Sequence, residues 1–167
     1  LQYKDSNLSV EGLGKISLDK EFNKINYTFS KKDKKYNFET DLEINDTPIK
    51  IDFINYEKDK NLNSQLKING NYNKKFGLDL KKISIFSKNN RISIDDLIID
   101  GKNKIVKVDK IDLDYFDISD KKNKFVINRI KNNEYELNGS ILNADSLITN
   151  LLKSNNDQQL DIFKENI

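Results

Sequence analysis

Strict alternation of apolar and polar residues runs through most of the chain and narrows the fold more than any other feature. "YNFETDLEI" sets Tyr36, Phe38, Thr40, Leu42 and Ile44 on one side of an extended segment. "PIKIDF" repeats the pattern with Ile49, Ile51 and Phe53. Leu66 and Ile68 follow, then Phe76, Leu78 and Leu80, then Ile83 and Ile85, then Ile92 and Ile94. Val106 and Val108 continue it, and Ile111, Leu113 and Tyr115 resume after a one-residue change of phase. "KFVINRI" offers Phe125, Ile127 and Arg129 against Val126, Asn128 and Ile130, and Tyr135 and Leu137 close the series. Successive side chains of a strand point to opposite faces, so period two means strands with one apolar face and one wet face.

Turn-forming clusters separate the runs: "SKKDKK", "NDTP", "EKDKN", "NGN", "SKNNR", "DGKNK", "SDKKNK" and "KNN". Strands at roughly every 10 to 14 residues read as antiparallel hairpins in sequence order. Asn69-Gly70 and Asp100-Gly101 are expected to supply the positive φ of tight turns. Pro48 stands at a strand start, where a missing N–H does least harm. Gly12 and Gly14 interrupt an alternating run and predict a bulge or bend.

The apolar face needs a cover. Charged residues are 34% of the chain and apolar residues 36%, so the core is thin or one-sided. Three arrangements meet the need: a second sheet, a closed barrel, or a curved sheet left open as a trough. One helix is expected, over 143–153. Asn143 would cap it, Asp145 would sit favourably in its first turn, and Ala144, Leu147, Ile148, Leu151 and Leu152 would form one apolar stripe. "SNNDQQ" then reads as a loop and "LDIFKENI" as the start of a further strand, so residues 1–153 form a β-rich unit and 154–167 a tail.

Composition removes several function classes. The net charge is +2, from 29 basic and 27 acidic residues, with no basic stripe for nucleic acid. There are 27 Lys, 2 Arg, 24 Asn, 22 Ile and 1 Ala, the residue bias of an AT-rich genome, so single lysines carry little functional weight. The scarcity of arginine also argues against a phosphate-reading surface. With no Cys and no His there is no disulfide, no thiolate or imidazole zinc site, and no histidine-based triad. No run approaches the roughly 20 apolar residues that span a bilayer. The chain opens at Leu1 without a leader and reads as a segment of a longer protein, any membrane anchor lying outside it.

Three clusters carry possible chemistry. Asp112, Asp114, Asp117 and Asp120 could gather a hard cation, but no glycine or bidentate glutamate stands at calcium-loop spacing. Strand acids on a wet face ending in a turn account for them better. Asp95, Asp96 and Asp100 could serve as an acid–base pair in glycoside hydrolysis. Paired acids at a change of strand phase read instead as a solvated bulge. Lys31 to Lys35 could touch anionic headgroups, but Asp33 interrupts the run at a hairpin tip. Tyr and Phe occur singly and form no base-stacking platform.

The stretch from Leu66 to Lys153, "LKINGNYNKKFGLDLKKISIFSKNNRISIDD…" and onward to "NEYELNGSILNADSLITNLLK", resembles the bacterial AsmA-like family, in particular its YhdP- and TamB-like members. Tyr135, Leu137 and Gly139 match a strand of the type y-x-l-x-G. Asn143, Ala144, Asp145, Leu147 and Ile148 approximate the helix opening that follows, with the acidic position shifted. The resemblance implies a curved, taco-like sheet of antiparallel hairpins with one apolar face. It implies a protein tied to the inner membrane and reaching across the periplasm of a Gram-negative bacterium, moving phospholipid toward the outer membrane. It implies no catalytic residue, metal or cofactor. The expected lining for phospholipid acyl chains is Phe38, Leu42, Ile51, Phe53, Leu66, Ile68, Leu78, Leu80, Ile83, Ile85, Ile92, Ile94, Val106, Val108, Ile127 and Leu137. The same residues would equally form the core of a structural or adhesive β-sandwich domain of a cell-envelope protein, because a groove and a core both bury alternate positions.

Overall fold

The computed structural model describes residues 8–18, 20–32, 34–132, 134–145 and 148. The chain is mainly β, as its alternation requires. The strands are β1 (Leu8–Leu18), β2 (Glu21–Lys32), β3 (Lys35–Glu43), β4 (Ile49–Ile51), β5 (Tyr56–Lys58), β6 (Ser64–Asn73), β7 (Gly77–Ser87), β8 (Asn90–Ile99), β9 (Ile105–Lys107), β10 (Lys110–Phe116), β11 (Lys122–Lys131) and β12 (Glu134–Ile141). Ten of them make one open antiparallel sheet in the order β1-β2-β3-β6-β7-β8-β10-β11-β12, with β9 paired to β8. Strands follow one another across the sheet, so the hairpins expected in sequence order are present. The departure is the insertion between β3 and β6, where β4 and β5 pair only with each other.

Four local expectations give way to tertiary context. Asn69-Gly70 makes no turn: it lies inside β6, at a register shift against β7. A Cβ on Gly70 would stand 2.5 Å from the Asp79 carbonyl oxygen, so the glycine there serves the close approach of β7. The β6–β7 reversal comes after it, closed by the Phe76 N–H donating to the Asn73 carbonyl at 3.1 Å, with Gly77 at φ +90. In the Asp100-Gly101 loop the left-handed residue is Asn103, φ 62, and the Asp100 carboxylate accepts from the N–H groups of Lys102 and Lys104 at 2.8 and 3.0 Å. Neither Gly12 nor Gly14 bulges, since β1 keeps unbroken register with β2 from end to end. Gly12 leaves room for the ring of Tyr27, whose hydroxyl would lie 2.9 Å from an added Cβ.

The helix expected over 143–153 falls largely outside the described residues, as does the tail 154–167. Among the described residues there is no helix of seven or more residues. One helix-like bond is present, from the Ile148 N–H to the Ala144 carbonyl at 2.8 Å. Asn143 instead anchors to the sheet. Its side-chain amide donates to Asp117 at 2.7 Å, and its backbone N–H donates to the Asn123 side chain at 2.8 Å.

Candidate functional site: the apolar face

Register places the apolar side chains in rungs that cross the sheet. One rung reads Ile25, Leu42, Leu66, Ile85, Ile92, Leu113, Phe125 and Gly139. The next reads Tyr27, Thr40, Ile68, Ile83, Ile94, Ile111, Ile127 and Leu137. A third joins Phe29, Phe38, Gly70, Leu80 and Leu97, and a fourth joins Tyr36, Tyr72, Leu78, Ile99 and Ile105.

Between the second and third rungs the sequence changes phase, and bulges absorb the change. Lys81 is the extra residue of β7, because Asn69 pairs with Lys82 and Gly70 with Leu80. Asp96 is the extra residue of β8, at φ 51, and Lys81 donates to its carboxylate at 3.1 Å. Leu80 and Ile83 thereby share a face despite their odd spacing, as do Ile94 and Leu97. The solvated-bulge reading of Asp95 and Asp96 describes this arrangement.

The first rung is covered at its centre. The insertion returns as a small hairpin whose Ile54 and Tyr56 pack with Ile92, Leu113, Tyr115 and Phe125, flanked by Ile49, Ile51, Ile85, Ile111 and Ile127. The Tyr115 hydroxyl donates to the Ile54 carbonyl at 2.8 Å, and its ring meets Tyr56 edge-on at 5.8 Å between centroids. Burial pushes the Tyr115 phenol up to about 12, with Asp117 adding to the shift. The Ile118 N–H donates to the Asn55 carbonyl at 3.0 Å, tying the hairpin to the β10–β11 turn.

Lys58 fixes the insertion from inside. The residue is 1% exposed, and its ammonium donates to the carbonyls of Asn45, Thr47 and Asp59 at 3.0, 2.8 and 3.0 Å. Burial lowers its pKa, against the pull of Asp46 and Asp59.

Away from the hairpin the face is partly exposed among the described residues. Ile68, Ile83 and Ile94 are half-buried and stand opposite one another across β6, β7 and β8. Among the described residues, the layer packed on this face is the β4–β5 hairpin, and its cluster takes in Ile85, Ile111 and Ile127 but none of these three isoleucines.

The expected lining is therefore split. Leu42, Leu66, Ile85 and Ile92 sit in the rung that the hairpin crosses, and Ile51 belongs to the hairpin's own side of that packing. Ile68, Ile83, Ile94, Ile127 and Leu137 form the second rung; Leu137, at the β12 edge, is 45% exposed. Phe38, Leu78 and Leu80 belong to the third and fourth rungs. Phe53 is an exposed residue of the hairpin's single 3-10 turn. Val106 falls at the register shift between β8 and β9, 61% exposed, and Val108 lies between strands, so neither joins a rung. Ile25, Tyr27 and Phe29 of β2 lie on the face without having been singled out, although their i, i+2, i+4 spacing carried the signal.

The opposite face carries the charges. Lys24 meets Glu43 at 3.2 Å, Lys67 meets Asp41 at 3.4 Å, Lys82 meets Asp95 at 3.4 Å and Arg91 meets Asp112 at 3.3 Å. Asp114 pairs with Lys122 and Lys124, and the Lys122 hydrogen bond holds its carboxyl below the usual range. Asp112 and Asp114 are thus engaged by cations of the protein itself. Asp117 turns into the β10–β11 reversal, accepting from the backbone N–H groups of Ser119 and Lys121 at 2.9 and 3.0 Å. No group of three or more acidic residues among the described residues is placed to hold a metal ion. None of the described helices is long and apolar enough to cross a membrane.

Compared with protein-family models, curated proteins and solved structures, the chain has no match in any of the three.

Proposed function

We propose that this protein is a non-catalytic lipid-binding segment whose apolar face, beyond the hairpin, holds phospholipid acyl chains. Its place would be the periplasm, as part of a membrane-anchored protein that conveys phospholipid between inner and outer membranes. In this reading the sheet curls into a taco-like trough along the apolar face. The observation that carries the proposal is the row Ile68, Ile83, Ile94: apolar, central in the sheet, half-buried, and outside the cluster that the hairpin packs against. Water against such a row costs about 25 cal/mol per Å² of apolar surface, which a lipid tail would recover. From β6 to β12 the second rung extends about 24 Å at the usual strand spacing, the reach of a long acyl chain.

A structural or adhesive β-domain is the second reading, and the hairpin-capped rung favours it locally, because there the face is an ordinary packed core. The two differ at Ile94. The purified chain is expected to carry phospholipid detectable by mass spectrometry of an organic extract. Ile94→Asp is expected to abolish that lipid while the circular dichroism spectrum persists, since an open trough hydrates a carboxylate and a packed core does not. Lipid-free wild-type protein, or an Ile94→Asp variant that unfolds, would overturn the proposal.

A further inference from the structure

Strand β1 reads Leu-Ser-Val-Glu-Gly-Leu-Gly-Lys-Ile-Ser-Leu from Leu8 to Leu18, and its chemistry is mirrored about Leu13. Leu8 matches Leu18, Ser9 matches Ser17, and Val10 matches Ile16. Glu11 is answered by Lys15, opposite in charge and equally far from the centre, and Gly12 by Gly14. A strand with this symmetry is its own complement when two copies run antiparallel.

The structure leaves that complement unmet. Among the described residues β1 ends the sheet, bonded on one side only, to β2. Leu8, Val10, Leu13 and Ile16 are 50%, 41%, 84% and 37% exposed. Sheet edges are ordinarily blunted by a bulge, a proline, short length or unmatched charge. β1 has 11 residues in unbroken register, with no bulge and no proline. Neither Glu11 nor Lys15 has an ion-pair partner among the described residues. Lys15 stands opposite Lys24, which is itself taken by Glu43.

We propose that β1 pairs with β1 of a second copy, antiparallel about a two-fold axis through Leu13, giving a dimer with one continuous sheet. Glu11 then faces the partner's Lys15 and Lys15 faces the partner's Glu11, one ion pair on each side of the axis. Register across β2 sets Val10 opposite Phe29, Gly12 opposite Tyr27 and Gly14 opposite Ile25. The even positions of β1 therefore lie on the apolar face, and Ser9, Glu11, Leu13, Lys15 and Ser17 on the other. Mirror pairing joins even with even positions, so both faces run unbroken across the axis. A one-residue slip would set the two faces against each other. A two-residue slip would leave both charges against uncharged residues. The other edge, β12, lacks this symmetry: it carries Glu134 and Glu136 and no basic residue. This dimer does not depend on the lipid reading.

Sedimentation velocity across a concentration series tests it on the 167-residue chain. The wild type is expected to dimerise. Glu11→Lys and Lys15→Glu are each expected to weaken the dimer by about tenfold or more, because each sets like charges opposite at two places. The double variant, which restores both pairs with signs exchanged, is expected to recover it. Leu13→Cys, the only cysteine in that variant, is expected to link two chains through a short bis-maleimide, and Leu137→Cys on the far edge is not. A wild type that stays monomeric at the highest soluble concentration would overturn the proposal, and so would a double variant no tighter than the single ones. Open-ended polymers linked through Leu137→Cys would also overturn it, since they would place β1 against β12 of the next copy.

Discussion

Lys58 donates to three carbonyls that no other side chain among the described residues serves, all inside the insertion. Lys58→Met keeps the stem and removes the donors, and is expected to cost about 2–4 kcal/mol, because buried acceptors left without partners keep their desolvation penalty. Urea denaturation measures this. Asp117 is the second keystone. Burial pushes its carboxyl up, but the amide of Asn143, the backbone N–H groups of Lys121 and Ser119, and Asn123 together outweigh it, and the net shift is downward. A carboxyl with a lowered folded pKa lends stability above its unfolded value, about 3.9, and loses it as pH falls through the folded value. Melting temperature followed from neutral pH into acid is expected to fall less steeply for Asp117→Asn than for the wild type. The variant should also be less stable at neutral pH, because its amide nitrogen would confront that of Asn143. Parallel curves would contradict this account.

At the scale of elements, strands and hairpin order were legible because period two has one geometric meaning. The change of phase at Asp95-Asp96 was legible too, since apolar spacing passes from even to odd there. What the insertion does was not. Ile49 and Ile51 alternate as the sheet strands do, and nothing in that pattern distinguishes a strand in the sheet from one folded back over it. Asn69-Gly70 misled for a related reason: the dipeptide fits a turn locally, but ladder bonds on both sides of β6 outweigh one favoured turn. Tyr115 is one tie between hairpin and sheet, beside the Ile118–Asn55 backbone bond. Tyr115→Phe is expected to cost about 1 kcal/mol, the net worth of one hydrogen bond. Because the Tyr115 phenol ionises only near 12 in the folded state, the wild type is expected to lose stability as pH rises from about 10, the usual tyrosine value, toward 12. The phenylalanine variant should lose less over that window, as read by alkaline melting curves.

At the scale of the whole molecule, the account rests on asymmetry between faces. One side is a ladder of exposed ion pairs, each worth at most about 1 kcal/mol, which set register more than stability. The other has a packed end under the hairpin and, among the described residues, a half-buried remainder outside that cluster. Sequence could not separate groove from core, because both demand the same alternation; only the placement of the hairpin divides the face into these parts. A phospholipid spin-labelled along its acyl chain, titrated into protein with isotope-labelled methyl groups, tests this division most directly. The account expects the methyl signals of Ile68, Ile83 and Ile94 to broaden while those of Ile54 and Leu113, beneath the hairpin, stay sharp. Unchanged signals at all five positions, or broadening no greater at the three isoleucines than beneath the hairpin, would contradict it.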